Sequence, residues 1–274
     1  FIRHQRLVWR IATDTLEPKA YLEWFIDAMD GEIVDKLDRR RFYVSREAKV
    51  FWPDPVTSSM NTELNWGSSA LLLDLEQEVT TLENLDDPKR GGYTLQGKWV
   101  RIVDKEDPKM RGPVTETQFL YASKDRRFLS VMAYYYIDRL VEWLQSLDVP
   151  AFNQAFKDPI EVDAQGADQE DNSHFVAQVD GSMYIAFGEG GTPDASDPGV
   201  IVHEFGHALH YLLLGQFLEP SSCEEGFNDF LSCVFRDRFN VHGFDRANPF
   251  PWDNHADYCW DPNRRCDCKL RFDD

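Results

Sequence analysis

The segment GVIVHEFGHALHYLLLG, residues 199–215, constrains most strongly what this chain can fold into. It is an apolar run that nevertheless carries three histidines and one glutamate within eight positions. Burying polar groups that have no partner costs on the order of several kcal/mol, so a hydrophobic helix with four of them usually has something for them to bind. We expect that partner to be a metal ion.

The ends of this predicted helix are marked in the sequence. Asp197 is a favourable N-cap, Pro198 suits the first helical position, and Gly215 is a favourable stop. On such a helix His203 and His207 lie on one face, about 6 Å apart along the axis. This spacing lets both imidazoles reach a single Zn²⁺ at about 2.0 Å.

Glu204 follows the first of these histidines and completes the pattern HExxH. Its carboxylate is placed to approach a metal-bound water without ligating the ion, which is the role of a general base. Because this short motif also arises by chance, a third ligand is required. His210 lies about 10.5 Å from His203 along the axis, too far to share the ion, and we expect it to be packed or to support a ligand. Leu213 stands where a longer HExxHxxGxxH motif would have its last histidine.

The best candidate for the third ligand lies in the segment SSCEEGFNDFLSCVF. Glu225 and Asp229 are four residues apart, so both face the same way on a second helix. We expect Glu225 to ligate the ion. Asp229 would accept a hydrogen bond from the far ring nitrogen of a ligand histidine and so fix its tautomer.

A structural interpretation of the glutamates stays open beside this one. Ser221 and Ser222 each begin an S-x-x-E pattern, which is typical of a capping box at a helix start. If Ser221 is the cap, Glu224 is the structural partner, and Glu225 is free to ligate.

These residues resemble those of a known family. HEFGH followed by EEGFND is similar to the gluzincin zinc peptidases, and within them to the thermolysin and fungalysin group, where HExxH precedes an ExxxD motif. The resemblance implies a zinc metallopeptidase, an endopeptidase acting on peptides or proteins, with Zn²⁺ as cofactor. EDNSHF and GSMYIAFGEGG are similar to the part of these enzymes in which an asparagine at a sheet edge binds the substrate backbone, a role that falls on Asn172. Residues 120–235 carry most of the resemblance.

One element of the family pattern has no clear counterpart. The family uses a downstream histidine or tyrosine to stabilise the oxyanion, whereas this chain ends at RFDD before that lobe is complete. His242 and His255 are the only later histidines, and neither is assigned the role. Two other readings therefore remain: a non-catalytic metal-binding or assembly module that keeps the peptidase fold, and a chance HExxH on a core helix.

The predicted fold class is α+β, with a β-rich N-terminal part and a zincin-type helical active-site region. Residues 1–45 resemble the end of a PepSY-type inhibitory prosegment, and Asp30-Gly31 predicts a hairpin turn within them. Residues 46–274 form the predicted peptidase domain, which is β-rich over 46–120, carries the active site in 121–240 and ends in an irregular segment.

Five further segments receive specific predictions. SALLLDLEQEVTTL and YTLQGKWVRIVD alternate in a way that favours antiparallel strands, and GSMYIAFGEGG is also strand-like. EVDAQGADQEDNSHF is expected to be an acidic loop. An amphipathic helix of about six turns begins near Asp125, and we expect its three tyrosines to pack in the core.

The charge of the chain restricts its partners. With 48 acidic against 29 basic residues the formal charge is −19, which argues against nucleic acid or an anionic membrane surface. No apolar run approaches the roughly 20 residues of a membrane span. The chain starts without Met and without a signal-peptide layout, which we expect of a processed form or a segment of a precursor. The resemblance implies an extracellular or cell-surface location.

Two remaining groups could bind metal or form cross-links. Oxygen ligands for Ca²⁺ cluster in one segment, although a solvated acidic loop is the alternative; these are Asp163, Asp168, Glu170 and Asp171. The five cysteines all lie in the last quarter, at 223, 233, 259, 266 and 268. An odd number cannot all pair within one chain, and the last three fit no standard zinc knuckle, so a disulfide of an exported protein is expected among them.

Overall fold

A computed structural model describes residues 2–3, 6–16, 19–38, 43–88, 92–109, 116–178, 180–215, 222–253 and 265–266. The chain divides into two compact units, Phe1–Phe42 and Tyr43–Asp274. Helices and strands are both well represented, so the general α+β class is confirmed.

The first unit is a four-stranded antiparallel sheet in the order β1-β2-β3-β4. Its strands are β1 (Ile2–Arg3), β2 (Arg6–Leu16), β3 (Lys19–Asp27) and β4 (Ile33–Asp38). The turn between the last two contains Asp30 and Gly31, and Gly31 has a φ of 78°, which favours glycine. The predicted hairpin is confirmed. The interpretation of this unit as a prosegment remnant stays a prediction.

The second unit combines two sheets with six α-helices among its described residues. The strands are β5 (Tyr43–Phe51), β6 (Gln77–Asp86), β7 (Val100–Ile102), β8 (Ile160–Asp163), β9 (Ser173–Ala177) and β10 (Met183–Phe187). The helices are α1 (Pro55–Ser59), α2 (Ala70–Leu75), α3 (Arg126–Ser146), α4 (Pro150–Ala155), α5 (Pro198–Leu214) and α6 (Ser222–Asp237). Strands β5 and β6 form an antiparallel pair. The other sheet has the order β7-β8-β10-β9, in which β7, β8 and β10 are parallel and β9 is antiparallel to β10.

Three strand and loop predictions need correction. The segment SALLLDLEQEVTTL is not one strand, because Ser69 caps helix α2 through a bond from the Leu72 N–H, and β6 begins only at Gln77. The expected acidic loop contains strand β8, which is held between β7 and β10. Strand β7 pairs in parallel rather than antiparallel, because its partner lies about sixty residues further along the chain.

Helix α3 forms where it was predicted, and its tyrosines are buried as expected. Tyr134 and Tyr136 are fully buried. The hydroxyl of Tyr134 donates to the carbonyl of Glu83 at 2.9 Å, and the hydroxyl of Tyr136 donates to that of Phe51 at 2.6 Å. These bonds let large polar-tipped rings fill the core without leaving an unpaired hydroxyl.

The start of helix α5 is tied to a later loop. Asp197 caps the helix by accepting from the Gly199 N–H at 2.6 Å, and its other oxygen accepts from the N–H groups of Trp252 and Asp253. A Cβ at Gly199 would lie 1.9 Å from the carbonyl oxygen of Pro249, so only glycine allows this close approach. The described residues include no helix with the length and apolarity needed to cross a membrane.

Candidate metal centre

Helix α5 presents the HExxH residues from one buried face. The helix begins after Asp197 and ends at Gly215, whose φ is 69°, so both predicted ends are confirmed. His203 is 3% exposed and Glu204 is 8% exposed. Ligand atoms of His203, Glu204 and His207 lie within 4.8 Å of one another. This group could hold a metal ion.

Helix α6 brings a carboxylate to the same point. Oε2 of Glu225 lies 3.1 Å from Nε2 of His203, and Oε1 of Glu225 lies 3.4 Å from Nε2 of His207. The Glu225 side chain is 37% exposed, whereas that of His203 is 4% exposed, so the group opens to solvent on the glutamate side. The three side chains predicted as ligands therefore converge.

The far nitrogen of each histidine also faces a carboxylate. Oδ1 of Asp229 lies 2.9 Å from Nδ1 of His203, where we expected it. Oε1 of Glu224 lies 2.9 Å from Nδ1 of His207. A carboxylate at Nδ1 fixes the proton on that nitrogen and leaves the Nε2 lone pair free to bind a cation. Both imidazoles are thus oriented for ligation through Nε2.

The role of Glu224 as a capping-box partner stays a prediction. Its carboxylate is turned towards helix α5, and Ser221, the predicted cap, lies outside the described residues. The same Glu224 oxygen is 3.3 Å from Nδ1 of His210. His210 also lies beside the Phe227 ring, with the ring centroids 4.9 Å apart. His210 therefore packs beside the carboxylate that supports His207, which agrees with the expectation that His210 is a packed residue.

The electrostatics of this group favour positive charge. Burial lowers the pKa of His203, but its hydrogen bonds with Asp229 and Glu225 and the charge of Glu204 outweigh burial and raise the pKa to about 9. The carboxylates therefore stabilise a cation at the place where the two Nε2 atoms meet. The same carboxylates would stabilise a divalent cation bound there.

A close helix crossing makes the convergence possible. Asn228 on α6 is fully buried and packs against Gly206 on α5, where a Cβ would lie 2.2 Å from Asn228 Oδ1 and 2.5 Å from its Cγ. Further along, Ser232 donates to the carbonyl of Gly199 at 2.7 Å. The glycine inside HEFGH was a signal for this approach that the sequence analysis did not use. Without it, α6 could not bring Glu225 so near the histidines.

Asn172, the predicted substrate-binding residue, directly precedes strand β9 at the end of the sheet order and is exposed. Strand β9 lies against helix α5, since the rings of Phe175 and Tyr211 have centroids 5.8 Å apart. The placement at a sheet end agrees with the expectation. A role of Asn172 in binding substrate stays a prediction.

The predicted calcium set is not assembled among the described residues. Asp163 is fully buried, and its carboxylate accepts from the backbone N–H groups of Lys105, Glu106 and Gln165, so it serves the fold. Asp171 instead groups with two residues distant in sequence.

These partners of Asp171 are the buried Asp194 and Asp253, and one carboxylate oxygen from each of the three lies within 4.8 Å of the others. Burial and then the charge of Asp171 raise the pKa of Asp253 to about 8. Sequence reasoning missed this group because only the tertiary fold brings its members together.

No residue is assigned to stabilise an oxyanion. His242 is exposed in a turn, and His255 lies outside the described residues. The cysteines Cys259 and Cys268 also lie outside them.

Comparison of the chain with models of known protein families, with curated proteins and with solved structures gave no match. The resemblance carried by HEFGH and EEGFND therefore stays a prediction.

Proposed function

We propose that the protein is a zinc-dependent peptidase. The observation that supports this most strongly is the position of the Glu225 carboxylate, 3.1 Å and 3.4 Å from the Nε2 atoms of His203 and His207. Ligands about 2.0–2.2 Å from a tetrahedral ion lie roughly 3.3–3.5 Å from one another, so these spacings fit one Zn²⁺. Two imidazoles and one carboxylate are also the donor set of many catalytic zinc sites, which keep a fourth position for solvent.

The residues fit zinc in a second respect. Asp229 and Glu224 hold the Nδ1 atoms, so both Nε2 atoms are available as neutral ligands. When bound, Zn²⁺ would lower the pKa of a water molecule and polarise the scissile carbonyl.

Glu204 supplies the acid–base chemistry in this proposal. It lies on the same buried face as the two histidines, and one of its oxygens is within 4.8 Å of their ligand atoms. Glu204 accepts the proton of the attacking water and delivers it to the leaving amine. Its low exposure favours this role, because few competing waters reach the carboxylate.

The proposed substrate is an extended peptide or unfolded protein cleaved internally. Strand β9 ends the sheet order and lies against α5, which suits the addition of a substrate strand beside the active-site helix. Asn172, directly before β9, then holds the substrate backbone. We place such an enzyme outside the cell or at its surface.

The test is Glu204→Gln. The variant should retain zinc, because Glu204 is not a ligand, while cleavage of an unfolded protein substrate falls by at least about 100-fold. Glu63→Gln, which makes the same change on an exposed loop, is the matched control and should cleave normally. Cleavage by the wild-type protein should stop when a zinc chelator is added. Unchanged turnover in Glu204→Gln would refute the assigned role.

A second candidate is a metal-binding or assembly module that keeps this site without catalysis. One observation favours it. His242, the histidine that follows the site among the described residues, is exposed in a turn, and it is not assigned to stabilise an oxyanion. This candidate predicts stoichiometric zinc in the wild-type protein together with no chelator-sensitive cleavage.

A further inference from the structure

Two cysteines from distant parts of the chain meet beside helix α6. Sγ of Cys233 and Sγ of Cys266 are 2.9 Å apart, although 33 positions separate them in sequence. This distance is shorter than the sum of two sulfur van der Waals radii. Two thiols that stayed unbonded would be pushed apart, whereas a covalent bond would hold the sulfur atoms about 2.05 Å apart.

The backbone near Cys266 is held in place independently of the sulfur atoms. The N–H of Cys266 donates to the carbonyl of Ala247 at 2.9 Å. Nη1 of Arg265 lies 2.7 Å from Oδ1 of Asp245. Cys233 is fixed as well, since it lies within α6 and is only 6% exposed. Both cysteines are thus positioned for each other by contacts that do not involve sulfur.

We propose that Cys233 and Cys266 form a disulfide that joins helix α6 to the C-terminal segment of the chain. Cys233 lies one helical turn after Asp229 and two turns after Glu225. The bond would therefore restrain the helix that supplies the carboxylates of Glu225 and Asp229. It does not depend on the proposed peptidase activity.

The bond forms by exchange with a low-molecular-weight disulfide such as oxidised glutathione. The exposed Cys266 loses its proton and attacks one sulfur of the oxidant, which releases the first small thiol. The Cys233 thiol then loses its proton and attacks the Cys266 sulfur, which releases the second. Two protein S–H bonds are replaced by one S–S bond, and the oxidant is reduced to two thiols.

The order of attack follows from the surroundings of the two sulfurs. The contact with Cys266 and burial raise the pKa of the Cys233 thiol, so Cys233 is a poor first nucleophile. Once Cys266 is part of the mixed disulfide, its sulfur carries no thiol and is the electrophile next to Cys233. Cys266 therefore reacts first and Cys233 resolves.

The proposal is tested by mapping disulfides in the full chain. The protein is incubated with oxidised glutathione, its remaining thiols are alkylated in denaturant, and it is cut with a protease that cleaves before aspartate. Because aspartates separate all five cysteines in the sequence, each cysteine falls in its own peptide. We expect peptide 229–236 to be linked to peptide 261–266 and to be released by reduction.

Two variants sharpen the outcome. Cys266→Ser changes an exposed residue, so folding should survive, and it should abolish the link and leave Cys233 alkylated. Cys268→Ser, two positions further on, should keep the link. Recovery of both Cys233 and Cys266 as alkylated thiols after oxidation would overturn the proposal. A link from Cys233 to any other cysteine would overturn it as well.

Discussion

Replacing Gly206 with alanine tests how the two site helices are held together. In the native chain Gly206 lies between Glu204 and His207, and Asn228 of helix α6 packs directly on it. The added methyl group would lie 2.2 Å from Oδ1 and 2.5 Å from Cγ of Asn228. Because Asn228 is fully buried, it has no room to turn away.

The magnitude follows from this geometry. Restoring an ordinary contact of about 3.5 Å needs helix α6 to move by about 1 Å. Overpacking of this kind costs about 1–3 kcal/mol, and the better helix propensity of alanine returns at most about 1 kcal/mol. We expect a net loss of about 1–2 kcal/mol. The same movement shifts Glu225 relative to the histidines, so zinc should bind at least about tenfold more weakly.

Denaturant unfolding in the presence of a chelator measures the first effect, and competition with a chromogenic chelator measures the second. Gly226→Ala is the matched control, because Gly226 is exposed on helix α6 and nothing lies within 4 Å of the added methyl. It should be stabilised by about 0.5–1 kcal/mol. Adding Asn228→Ala to Gly206→Ala should restore part of the lost stability. A Gly206→Ala variant as stable as the wild type would show that the helices do not meet as described.

Two further predictions concern charged groups. Asp229→Asn and Glu224→Gln should each weaken zinc binding about 10–100-fold without unfolding the chain, because each replaces the charged acceptor of a histidine N–H by a neutral amide; full affinity in chelator competition would contradict this. Burial raises the pKa of Asp138 from 3.8 to about 8, so the folded chain favours the protonated carboxyl group. The stability that this protonated group contributes is complete below about pH 4 and is lost as the pH rises to 8. In denaturant unfolding, the free energy of unfolding of Asp138→Asn relative to the wild type should therefore rise from pH 4 to pH 8 by at least about 1 kcal/mol. A difference between the two proteins that does not change with pH would argue against a protonated Asp138.

Local rules were sufficient for the parts of the site that lie on one helix. The four-residue spacing of His203 and His207 fixes their common face, and the capping preferences of Asp197 and Gly215 fix the ends of the helix. Helical spacing also related Glu225 to Asp229. These predictions depend on backbone geometry that neighbouring segments change little.

Sequence patterns were insufficient wherever tertiary contacts choose between alternatives. The S-x-x-E pattern suggested only a capping role for Glu224, and its contact with His207 appears only when α5 and α6 cross. The glycine at 206 fits a helix interior poorly, and its reason appears only when Asn228 is seen packed on it. The contact between Cys233 and Cys266 spans 33 positions, beyond the reach of any local spacing rule.

The fold, like the site, was predictable where a local pattern is clear and was not predictable where distant segments pair. Helix α3 has a clear period, and its boundaries agree with the structure to within a residue or two. The leucines at 71–73 lie in helix α2 and not in the predicted strand, because a short apolar run is consistent with a strand until the cap at Ser69 is considered. Parallel pairing of β7 with β8 also left no local signal, since the partner is supplied after a long connection.

The metal content of the purified protein tests the central claim most directly. After dialysis against buffer containing zinc and then against metal-free buffer, elemental analysis should find about one zinc per chain in the wild type and in Glu204→Gln. His207→Ala and Glu225→Ala should each lose it, because each removes one of the three converging ligands. No bound metal in the wild-type protein, or a full complement that survives Glu225→Ala, would contradict the site.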